Sequence, residues 1–107
     1  MMKSRRVEAA TLVRARGRVV TVEFNAGGDL VFSAQDLGPL VQELLGHDEY
    51  EFWYTVPSAW LAPFAELAGL EAADPIRGLV ANWAGDERFG QLQALMRSTN
   101  YVRFTSY

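Results

Sequence analysis

His47 stands in the string His47-Asp48-Glu49 and is the one imidazole in 107 residues available for proton transfer or metal ligation. A zinc or iron site needs two or three further ligands converging on it, and the chain has no cysteine to supply a thiolate. Those letters follow a helix-stopping glycine and read as a solvated loop, so neither a metal nor a cofactor is expected. Ser33 or Ser58 could formally complete a Ser-His-Asp set, yet nothing resembles a nucleophile elbow. Glu23 and Glu51 would suit acid and base roles if they lay close together on one sheet face. A domain this small has little concavity with which to raise one carboxyl pKa and leave the other low. Gly27-Gly28 belongs to a hairpin turn, and neither a P-loop nor a dinucleotide fingerprint is present. A small enzyme using carboxylates therefore ranks below a binding protein.

The densest chemistry lies in EYEFWYTVPSAW, residues 49–60. Strand alternation splits it into Tyr50, Phe52, Tyr54 and Val56 on one side and Glu49, Glu51, Trp53 and Thr55 on the other. The first set is core. The second places a tryptophan between carboxylates, and unpaired buried charge is costly, so it must meet water or a partner. The terminal stretch NYVRFTSY divides likewise, with Val102 and Phe104 inward and Tyr101, Arg103, Thr105 and Tyr107 outward. Together with Glu23, the residues Glu51, Trp53, Tyr101, Arg103 and Tyr107 form a candidate partner-binding face. Interfaces are enriched in such Trp, Tyr and Arg side chains. A plain solvated face, with Glu51 opposite Arg103, is the alternative.

Charge is unevenly spread. Six of the ten cations precede residue 19 against Glu8 alone, whereas four cations face twelve anions from there on. Arg14, Arg16 and Arg18 share parity, so an extended hairpin would aim all three to one side, a geometry that fits phosphates. This makes nucleic-acid binding the second reading. The acidic body opposes it by repelling a polyanion, and nine arginines against one lysine also reflect a composition of bacterial type.

The elements that must position these residues follow from periodicity. Residues 7–14 and 18–24 alternate, with turns at ARGR and NAGGD, and a short strand at Leu30–Phe32 completes a three-stranded meander. A short helix over residues 4–16 stays open as the alternative. Ser33 and Asp36 match a capping box for a helix reaching Gly46 that Gly38-Pro39 should kink. A strand over 50–56 is ended by Pro57. Ser58 to Gly69, Asp74-Pro75 onward and Asp86 onward predict three further helices, with Trp60, Leu61, Phe64, Leu67 and Ala68 on the buried side of the first. The segments SAQDLGPLVQELLG and SAWLAPFAELAG echo each other, as a duplicated strand-helix unit would, although convergent helix punctuation is the favoured reading.

The length suits one domain, residues 1–107, and half of the residues are hydrophobic, a globular balance. Arg14 and Arg16 interrupt any leader-like run, and no apolar stretch approaches the roughly 20 residues that cross a bilayer, so a cytoplasmic, membrane-free protein is expected. The expected fold is α+β: an antiparallel sheet of about five strands with three or four helices on one face and the other face open. The expected function is a small non-enzymatic protein-interaction module, of the inhibitor or immunity type or an accessory subunit. Its partner would be another protein or a second copy.

Overall fold

The computed structural model describes residues 5–15, 17–37 and 49–106. Five strands, β1 (Ala9–Ala15), β2 (Arg18–Phe24), β3 (Leu30–Leu37), β4 (Glu49–Val56) and β5 (Arg103–Ser106), form one antiparallel sheet in the order of the chain. Residues 9–15 are thus strand, which decides against the helical alternative there. A 3₁₀ turn (Ser58–Trp60) leads into α1 (Leu61–Ala68), followed by α2 (Pro75–Asn82) and α3 (Asp86–Arg97). The fold is α+β, with three α-helices among the described residues.

Alternation decides which face is buried. Val20 and Val22 of β2, Leu30, Phe32 and Ala34 of β3, and Phe52, Tyr54 and Val56 of β4 all point to the helices. They meet Phe64 and Ala68 of α1, Ile76 and Leu79 of α2, and Phe89, Leu92 and Met96 of α3 in one cluster. Phe32 and Phe64 join the two layers edge to face at 6.4 Å. The buried Tyr54 hydroxyl accepts hydrogen bonds from Gln93 Nε2 (3.3 Å) and Arg97 Nε (3.2 Å), so its polar tip is satisfied.

β1 is irregular. Thr11 pairs with Thr21 but Val13 pairs with Val20, so Leu12 is an extra residue in a β-bulge. Both Leu12 and Val13 consequently turn inward. Between β2 and β3 the turn is closed by Asn25, whose side-chain oxygen accepts from the amides of Gly27 and Asp29, each at 2.9 Å. Gly28 takes φ 84°, and Asp29 Oδ1 accepts the Ser58 amide at 2.8 Å, tying the turn to the start of the helical layer.

Several expectations need correction. Ser33 and Asp36 do not begin a helix: β3 runs on to Leu37, because pairing with β2 on one side and β4 on the other outweighs a local capping pattern. The remainder of that expected helix, 38–46, lies outside the described residues. Trp60 and Leu67 are not buried with Phe64; they are 48% and 45% exposed, and Ala65 and Ala68 line the helix contact instead. Phe104 does lie on the helix side beside Tyr54 (5.1 Å), yet it is 50% exposed, because β5 is an outer strand. No helix among the described residues is long and apolar enough to cross a membrane.

Candidate functional site: the outer sheet face

The second sheet face carries no helix among the described residues, and the strand register arranges its side chains in three rows. The middle row crosses all five strands as Thr11, Thr21, Ser33, Trp53 and Thr105. One flanking row reads Arg14, Val19, Gln35 and Glu51. The other reads Ala9, Glu23, Val31, Thr55 and Arg103. Hydroxyls and short apolar groups fill the centre, with charges at the margins. Trp53 is the one aromatic side chain described on this face.

Two hollows shape the surface. A depression of about 180 Å³ lies against Trp53, lined also by Val19, Thr21, Ser33, Gln35 and Glu51. Gln35 Nε2 donates to Glu51 Oε1 at 3.4 Å across its rim. A second hollow, of about 330 Å³, opens where β1 offers only small side chains, and Ala9, Thr11, Thr21 and Glu23 border it. A large group and a vacant space thus occupy opposite sides of one flat face.

Among the residues expected to act together, the register unites Glu23, Glu51, Trp53 and Arg103 on this face but keeps the charges apart. Glu51 and Glu23 stand two strands and four residues from each other, about 16 Å from standard strand spacings, too far for a pair of cooperating carboxylates. Arg103 lies opposite Thr55 rather than Glu51, about 14 Å away by the same spacings. Tyr101 does not belong to the face. It precedes β5, packs against the core and stacks on Trp60 with ring centres 5.5 Å apart and planes at 21°. Tyr107 lies outside the described residues.

The arginine hairpin is likewise not a one-sided cluster. Two residues link Ala15 to Arg18, so Ala15 pairs with Arg18 and Arg14 with Val19: Arg14 lies on the outer face, while Arg18 pairs with Asp36 on the helix side. Arg18 donates to both carboxylate oxygens of Asp36 (Nε 2.7 Å, Nη2 3.2 Å) and reaches Asp86, the first residue of α3, at 3.5 Å. The hydrogen bond to Asp36 raises the already high guanidinium pKa, with burial opposing it. Its charge is spent on joining hairpin to helix. Arg16 lies outside the described residues.

For catalysis the arrangement offers little. No group of three or more His, Asp or Glu among the described residues could hold a metal ion, and His47 and Asp48 lie outside them. Ser33 sits in the middle row beside Trp53, and Ser58 starts the 3₁₀ turn. The residues that sequence reasoning missed are Thr11, Ser33 and Gln35. Reading β3 past Phe32 would have found the last two, since Val31, Ser33 and Gln35 alternate with Leu30, Phe32 and Ala34. No protein-family model, curated protein or solved structure matches the chain.

Proposed function

We propose that this chain is a small non-enzymatic protein-interaction module, acting as an inhibitor, immunity-type protein or accessory subunit, that docks its partner on the outer sheet face. The observation that carries this reading is the position of Trp53. Its indole stands in the middle row of a face free of helices among the described residues, over a depression rimmed by hydroxyl, amide and carboxylate groups. An aromatic anchor surrounded by polar rim groups is the composition of an interface centre. The cysteine-free sequence suits a reducing compartment such as the cytoplasm. Nucleic-acid binding draws less support, because Arg18 is committed to Asp36 and Arg14 faces away from it.

Paired affinity capture tests the reading, with wild type and Trp53→Ala as baits in lysate of the source organism. A protein retained by the wild type and lost from the variant is the expected result. Identical retention by both baits, with the variant folded, would overturn it.

A further inference from the structure

Resting on the reading of the outer face as a docking surface, we propose that its occupant is a second copy of this chain, packed face to face about a two-fold axis parallel to the strands. The axis runs between β2 and β3. It exchanges β1 with β4 and β2 with β3 while leaving each row in place. Arg14 of one copy then meets Glu51 of the other, Val19 meets Gln35, and Thr21 meets Ser33.

Charge and shape both favour this operator. The charged side chains described on the face are Arg14, Glu23, Glu51 and Arg103, two of each sign, whereas the whole chain carries −3. Arg103 stands on β5, outside the four overlapping strands, so each copy brings Arg14, Glu23 and Glu51, a net charge of only −1, into the contact. Arg14 forms no ion pair among the described residues, and the operator supplies it with a carboxylate twice over. The same rotation seats Trp53 opposite Thr11, at the hollow of about 330 Å³ that Ala9, Thr11, Thr21 and Glu23 border. The bulkiest side chain described on the face thus meets a hollow.

Twist does not oppose the fit. A two-fold axis along the strands carries a right-twisted sheet onto one of the same local slope, so the saddles nest at the roughly 10 Å spacing of packed sheets. Four overlapping strands cover roughly 500 Å² per copy by strand spacing, or about 1,000 Å² in all, the lower bound for a specific interface. An area of that size is that of a weak, transient dimer.

Charge reversal tests both occupant and geometry by sedimentation equilibrium, with circular dichroism to confirm folding. Wild type is expected to dimerise, and Arg14→Glu and Glu51→Arg are each expected to weaken the dimer at least tenfold. An equimolar mixture of the two variants should form a heterodimer, since both of its cross-copy contacts between positions 14 and 51 then join a carboxylate to a guanidinium. A wild type that stays monomeric near 1 mM overturns the proposal, as does a dimer that neither reversal weakens or a mixture that fails to reassociate. In each of those outcomes the paired-bait capture still decides whether the face serves another protein.

Discussion

Phe52 and Trp53 are neighbours along β4 whose side chains leave the sheet in opposite directions. Phe52 is 6% exposed and packs against Tyr54 (5.9 Å) and Phe104 (6.0 Å), while Trp53 lies only partly buried among Thr21, Ser33 and Glu51. Phe52→Ala should cost about 3–5 kcal/mol, as core aromatic truncations do, enough to threaten folding. Trp53→Ala should leave a folded protein with stability lowered by no more than about 1 kcal/mol. Urea unfolding of the two variants distinguishes these outcomes. Equal destabilisation would mean that the outer face is a second core.

Arg18 and Asp36 should couple in a double-mutant cycle. Their side chains are 31% and 21% exposed and joined by two hydrogen bonds, which places the pair between a surface ion pair and a buried one. A coupling energy of about 1 kcal/mol is expected from unfolding of Arg18→Ala, Asp36→Ala and the double variant. A value near zero would leave this end of the β2–β3 pairing to its backbone hydrogen bonds and packing alone.

Asp74 should contribute a pH-dependent share of stability. The Arg77 guanidinium at 2.7 Å and then the Val7 amide at 2.9 Å hold its carboxyl below the usual carboxylate range. A group whose folded pKa is depressed stabilises the fold above its unfolded value, near 3.9, and loses that contribution as pH falls through the lower folded value. Thermal melting of wild type and Asp74→Asn should differ at neutral pH and converge on acidification below about pH 4. A difference that is constant with pH would assign the aspartate a role independent of its charge.

Two glycines should respond in opposite senses to alanine. Gly69 closes α1 at φ 69°, and nothing lies within 4 Å of an added Cβ, so Gly69→Ala meets only backbone strain, about 1 kcal/mol. Gly90 sits inside α3 with equally open space, and Gly90→Ala should gain about 0.5–1 kcal/mol through helix propensity. Melting temperatures that move in the same direction would contradict the pair.

Much of the sheet was legible because β2 and β4 alternate cleanly between β-branched or aromatic residues and polar ones. β3 was cut short because Ser33 and Asp36 are as suited to a helix start as to a strand between two neighbours, and only the pairing of both its sides decides. The arginine parity failed for a different reason. Shared parity keeps side chains on one face only along a single strand: across the two-residue link Arg14 pairs with Val19, which leaves Arg18 on the opposite face. Trp53 and Glu51 were found from strand alternation alone. Tyr101 was misplaced because alternation was extended two residues before β5 begins, into a segment held by its stacking on Trp60.

The bulge at Leu12 also shapes the β1 margin of the sheet. A bare strand margin is a template on which further strands polymerise, as in amyloid. On the β1 side that template is interrupted at its middle, where the Leu12 carbonyl accepts the Gly85 amide at 2.8 Å and α2 and α3 lie against the strand. The segment leading into β1 is fastened too, with the Val7 amide on Asp74 and the Arg5 carbonyl on Arg77. At the opposite margin β5 is four residues long and opens with an arginine. Strand addition thus finds little purchase at either margin, and the sheet is guarded at both ends against edge-to-edge growth.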